Sequence, residues 1–237
     1  EQNNIITTPK FEAAILPAIM TTIEESAVLP ISQQDEYFFA TILQNESEFA
    51  NTIAIYNHPS RKDVKASENL ADIISWNKNR RNITAISGAP GHQKDEQIGS
   101  YNNPFKTSDR WDPAIANIGG TWDKLLEQGI PLWGAIASSG YHNAKIDYPP
   151  CGFARIHVIA PTKDYNGLLQ SLKTGTFWAG HGNVIEQLQL SLEIDGSPSP
   201  VYPGESAILP KPQTFGLVTV KIARSETHKN SPLSVDI

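Results

Sequence analysis

Three of the six histidines in the chain stand just beyond short apolar runs that end in polar, turn-forming clusters. Ile53-Ala54-Ile55-Tyr56 leads into Asn57-His58-Pro59-Ser60-Arg61, and Ile83-Thr84-Ala85-Ile86 leads into Ser87-Gly88-Ala89-Pro90-Gly91-His92-Gln93. Leu132-Trp133-Gly134-Ala135-Ile136-Ala137 leads into Ser138-Ser139-Gly140-Tyr141-His142-Asn143. Imidazole nitrogens are donors that divalent zinc, manganese and iron accept, so His58, His92 and His142 are candidate metal ligands. Arg61, three residues beyond His58, carries a planar donor fork suited to an anionic group. Thr176-Phe177-Trp178-Ala179-Gly180-His181-Gly182 adds aromatic rings and a fourth imidazole, which makes Trp178 and His181, with Arg61, candidate substrate contacts. No separate catalytic acid, base or nucleophile stands out.

The elements needed to gather these residues follow from the apolar spacing. Each run is short and closed by turn formers, and stretches of helical spacing separate them, so the order reads β-α-β-α-β with parallel strands. Parallel α/β folds hold their chemistry beyond the carboxyl ends of the strands, which sets His58, His92 and His142 around one mouth. Further strands are expected at residues 13–19 and 37–43. Ser67 caps a helix bearing Leu70, Ile73, Ile74 and Trp76, with the basic cluster 78–81 at its carboxyl end. A loop rich in Gly, Asn, Asp and Pro spans residues 88–113, long enough to cover a site. A helix beginning at Thr121 stops at Gly129, and Asp164 caps another that carries Leu168, Leu169 and Leu172 and ends at Gly175. Phe153, Arg155, His157 and Ile159 share one side of a strand. From about residue 186 the pattern becomes alternating, through Leu188, Leu190, Leu192 and Ile194 and again over 215–223. The expected organisation is an α/β barrel portion over 1–185 and a β-rich extension over 186–237 packed on the same domain.

Composition narrows the function classes. A chain of 237 residues, 39% hydrophobic, can bury a full core in one domain. The net charge of -6, with scattered Lys and Arg, offers no basic stripe for a phosphate backbone, so no nucleic-acid partner is expected. Cys151 is the only cysteine, which excludes an internal disulfide and a cysteine-based zinc knuckle. No apolar run approaches the roughly 20 residues that cross a bilayer, and Glu1-Gln2-Asn3-Asn4 lacks a signal pattern, so no membrane association is expected. With Met20 as its only methionine, the chain reads as a processed product or a piece of a longer precursor. Gly-x-Ser-x-Gly, a phosphate loop and a dinucleotide fingerprint are all absent from the sequence.

Asn57-His58-Pro59, Trp122-Asp123-Lys124-Leu125-Leu126, Ser138-Ser139-Gly140-Tyr141-His142-Asn143 and Leu172-Lys173-Thr174-Gly175-Thr176-Phe177-Trp178-Ala179-Gly180-His181-Gly182 occur in that order. The series resembles the PHP (polymerase and histidinol phosphatase) superfamily, in its metal-dependent hydrolase-like branch, over roughly residues 13–195. The resemblance implies a distorted (β/α)7-type barrel and two or three divalent ions, Zn, Mn or Fe, at the strand ends. It also implies hydrolysis of a phosphoester or related small substrate by metal-activated water. His58 and His142 carry over as ligands. The family's amino-terminal His-x-His has no counterpart, so the barrel is expected to lack its first strands. Met20 stands where the family carries a bridging glutamate, and Gly140 replaces the aspartate of its late Asp-x-His. A docked amino-terminal fragment or a partner chain would supply the missing ligands. The alternative is a catalytically degenerate barrel of the same family that serves in binding or assembly.

Overall fold

The computed structural model describes residues 4–7, 12–16, 53–57, 60, 73–74, 83–91, 94, 111–134, 136–138, 140–141, 143–150, 152–209 and 215–232. Strands β1 (Asn4–Thr7) and β2 (Glu12–Leu16) pair antiparallel, and β2 continues antiparallel to β3 (Ile53–Asn57). β3 then runs parallel to β4 (Ile83–Ser87). Strand β5 (Ala89–Pro90) pairs in parallel with β6 (Ala137–Ser138), and Ala85 bridges in parallel to Trp133. The three runs that precede the candidate histidines are therefore neighbouring parallel strands. The antiparallel β1–β2–β3 edge departs from the all-parallel expectation. Among the described residues the pairings leave the sheet open. The expected strand at 37–43 and most of the helix expected after Ser67 lie outside the described residues, of which 73 and 74 are helical.

The strand expected over 132–137 is interrupted. Ile86 donates to the Trp133 carbonyl, and Ile136 rather than residue 135 donates back to the Ile86 carbonyl, so one residue is inserted between them. Ala89 then donates to the Ile136 carbonyl, and the ladder resumes beyond an insertion on each side. Such bulges re-aim the chain at strand ends.

Residues 53–56 of β3 are all buried, as in a parallel strand covered on both faces. On one face Ile53, Ile55, Ala85 and Ile136 pack with Leu169 and Leu172 of a long helix, α3 (Tyr165–Thr174). Two short helices, α1 (Pro113–Ala116) and α2 (Thr121–Glu127), precede β6, and the buried Leu125 belongs to α2. β7 (Ala154–Val158) and β8 (Phe177–His181) form an antiparallel ribbon that flanks α3 in sequence. β9 (Ile185–Ile194) and β10 (Gly216–Arg224) form a second antiparallel ribbon. No helix among the described residues is long and apolar enough to cross a membrane.

Helix α3 follows its sequence signals closely. The Asp164 side chain accepts from the Gly167 amide at 2.8 Å and from the Thr162 hydroxyl at 3.0 Å. The Gly167 amide bond and then the Thr162 hydroxyl hold the Asp164 carboxyl below its usual range. A lowered folded-state value means that this cap stabilises above the ordinary carboxylate pKa and is lost as pH falls through the lowered one. Gly175 closes the helix at φ 80°, in the left-handed region. A methyl group there would sit 2.6 Å from the Trp133 indole, whose Nε1 donates to the Lys173 carbonyl at 3.0 Å. Gly175→Ala combines left-handed strain with overpacking and should lower unfolding free energy by about 2–4 kcal/mol. Urea denaturation of the two proteins measures it.

Candidate functional site

Hydrogen bonds stitch together the carboxyl ends of the parallel strands. Asp112, fully buried, is the N-cap of α1. Its Oδ1 accepts from the Ser60 hydroxyl at 2.6 Å and the Ala114 amide at 2.8 Å, and its Oδ2 accepts from the Ser60 amide at 3.2 Å. The Asp112 amide donates to the Gly88 carbonyl at 2.7 Å. One carboxylate residue thus joins the chain three residues beyond β3 to the turn after β4 and to the start of a helix. Between β4 and β6, the Ser87 and Ser138 hydroxyls lie 2.8 Å apart and share a hydrogen bond.

The next segments are tied in the same way. Gly91 donates to the Ser138 carbonyl at 3.1 Å, and Lys94 donates to the Ile146 carbonyl at 2.9 Å. The Lys94 ammonium reaches the Ala144 carbonyl at 2.9 Å. Asn143 donates its amide to Asp147 Oδ2 at 2.6 Å, and the Asp147 amide returns a bond to the Asn143 carbonyl at 2.9 Å. His58, Arg61, His92 and His142 themselves lie outside the described residues. Their described neighbours Asn57, Ser60, Gly91, Lys94 and Asn143 belong to this stitched edge.

His181 reaches the same edge by another route. It ends β8 opposite Ala154 of β7, and Ala154 packs with Ala89 of β5 and Ala137 of β6. Its ring lies 5.1 Å from Phe153 in a stacked arrangement and 5.6 Å from Trp111, tilted by 52°. Phe153 stacks in turn on Tyr148 at 4.8 Å. Four aromatic rings thus form one wall, and both ring nitrogens of His181 are shielded from solvent. Trp178 is not brought to His181. Register places Ala154, Ile156, Val158, Phe177, Ala179 and His181 on the inner face of the ribbon and Arg155, His157 and Trp178 on the outer one. There His157 lies flat on the Trp178 ring at 3.7 Å. Burial, and then the nearby Arg155 charge, push the His157 pKa below its usual value.

Among the described residues no group of three or more His, Cys, Asp or Glu side chains could hold a metal ion, and all three candidate histidine ligands lie outside them. Two buried carboxylates belong to the edge, and both accept backbone amides. Both Asp112 oxygens accept clamp bonds, which makes that residue a support of the edge. Asp147, 1% exposed, brings a second carboxylate to the turn that follows His142.

Asp112, Ser60 and Asp147 escape a search for catalytic spacing. Asp112-Pro113 does carry a readable signal, an N-cap residue before a proline at the first helical position. Asp147 carries none, because its burial depends on a turn held by Lys94, some fifty residues away. Comparison of the chain with protein-family models, curated proteins and solved structures gives no match.

Two expectations test this geometry. Asp112→Ala removes a helix cap and takes away the carboxylate to which the Ser60 hydroxyl and amide donate, although the Ala114 amide keeps its 3.1 Å bond to Ser60 Oγ, and should cost about 2–4 kcal/mol in urea denaturation. The lowered His157 pKa means that the folded state resists protonation there. That site's stabilising contribution should be full above pH 6.5 and should decline as pH falls from there through the lowered folded value. His157→Phe keeps a ring on Trp178 and should flatten this part of the pH profile of the denaturation midpoint.

Proposed function

We propose that the chain is a metal-dependent hydrolase of the PHP type, built on a distorted (β/α)7-type barrel, that acts on a phosphoester or related small substrate. The observation that carries the reading is the stitched edge, where three segments bearing His58, His92 and His142 leave adjacent parallel strands. In this reading the three imidazoles hold the ion, and Arg61 holds an anionic group of the substrate. A bound divalent ion lowers the pKa of a water towards neutrality and polarises the substrate oxygen. The chain's own contribution is positional. Asp112 fixes the strand ends, the Ser87–Ser138 hydroxyl pair fixes the spacing between two of them, and the wall of Trp111, His181, Phe153 and Tyr148 shields one side from water. Ligands lost at Met20 and Gly140 would come from an amino-terminal fragment or a partner chain.

One observation favours the second reading, a degenerate barrel used in binding or assembly. Gly140 has φ 54°, so the backbone where the family carries aspartate has settled in a conformation that suits glycine. In that reading the full chain takes up a divalent ion only after Gly140→Asp and Met20→Glu are combined.

Metal analysis and kinetics together decide between them. For the hydrolase, the full chain should carry Zn, Mn or Fe near stoichiometry and cleave bis(p-nitrophenyl) phosphate. His58→Ala and His142→Ala should each weaken metal affinity by at least about tenfold and lower kcat/KM by about a hundredfold or more. A full chain that, incubated with these ions, shows neither tight ion binding nor turnover would sink the hydrolase.

A further inference from the structure

The β9–β10 ribbon is amphipathic and its two outer edges differ. Register sets Ile194 opposite Gly216, Leu192 opposite Val218, Leu190 opposite Val220 and Leu188 opposite Ile222 on an apolar face. Glu193 opposite Leu217, Ser191 opposite Thr219 and Gln189 opposite Lys221 occupy the other. The outer edge of β9 is engaged, since Leu192 and Val201 exchange backbone bonds at 2.9 and 2.8 Å. Among the described residues no strand pairs with the outer edge of β10. Asp195 donates to the Phe215 carbonyl at 3.1 Å, which fixes the alternation: odd-numbered residues of β10 bond to β9, whereas Gly216, Val218, Val220 and Ile222 turn their N–H and C=O groups outward.

This edge lacks the usual safeguards. It has no proline, its one charge before Arg224 is Lys221, and its bulge falls at its far end, between Ala223 and Arg224. Leu217 is 62% exposed although it lies on the polar face, and Val218 is 47% exposed.

We propose that β10 pairs antiparallel with β10 of a second copy of this chain about a twofold axis at Val220. Three self-pairings preserve the two faces near the strand centre, and charge and polarity choose among them. Centring on Lys221 opposes two ammonium groups directly. Centring on Thr219 sets Leu217 against Lys221 of the other copy. Centring on Val220 sets Val218 against Ile222, Leu217 against Ala223 and Thr219 against Lys221, with no like charges opposed. It also accounts for an apolar residue at position 217, which gains Ala223 as its neighbour. The result is a four-stranded sheet in place of a two-stranded ribbon, the latter being marginal by itself in water. A single strand-to-strand seam is a small interface, so the dimer is concentration-dependent. The inference rests on the ribbon alone and is independent of the proposed activity.

Sedimentation of the full chain from about 1 to 300 μM should show a mass that rises from 26.0 kDa towards twice that value. Thr219→Lys opposes two ammonium groups at two places across the axis and should weaken the dimer by about threefold to thirtyfold. Thr219→Glu creates two opposite-charge pairs and should tighten it over a similar range. A monomeric wild type at the highest concentration, or lysine and glutamate shifting association in the same direction, overturns the proposal. Hydrogen exchange of the unmodified chain gives a second reading that needs no variant. The Val218, Val220 and Ile222 amides should gain protection as concentration rises, and unchanged exchange rates likewise overturn it.

Discussion

The Asp112 carboxylate is the constraint on which the rest of the site depends. Removed from water and ringed by donors, it acts where a local dielectric well below that of bulk solvent strengthens each bond. It joins the turn after β3 to the first turn of α1, and the backbone amide of the same residue adds the turn after β4. Because hydrophobic packing is non-directional, it can bring strand ends near one another without fixing their relative height. A carboxylate that accepts from a hydroxyl and two amides fixes height and direction together.

The serine pair and the Lys94 bridge extend the same logic along the edge. Ser87 is fully buried yet bonded, and its partner Ser138 also offers its carbonyl to Gly91. Polar groups at this edge bond to one another across strands. The apolar layer lies deeper, where Ile53, Ile55, Ala85 and Ile136 meet Leu169 and Leu172. A firm sheet below and a hydrogen-bonded rim above suit a site that must hold polar groups steady.

The sequence made different parts of this arrangement legible to different degrees. Helix α3 was readable to the residue, from Asp164 to Gly175, because cap chemistry is local. The runs before His58 and His92 were readable as strands because a buried run rich in β-branched residues has few other uses, whereas the run over 132–137, with Gly134 and a single β-branched residue, is interrupted. The antiparallel entry through β1 and β2 was not, since strand direction depends on connections and leaves no mark on the strand itself. Trp178 and His181 were read as one cluster from proximity in sequence. Their odd spacing in a strand places them on opposite faces, and the ribbon register decides which is inner. Asp147 left no trace because its burial comes from a remote partner. The proposed PHP-type activity rests on the order of the sequence motifs and on the stitched edge.

The β7–β8 ribbon carries an imidazole on each side, His181 inward among rings and His157 outward upon Trp178. The two sit on one ribbon three ladder positions apart, yet on opposite faces. Their ring-proton resonances therefore form a built-in pair of probes, one reporting on the aromatic wall and the other on the outer face of the ribbon. A small molecule that packs against the wall would disturb the first and leave the second as a reference within the same spectrum.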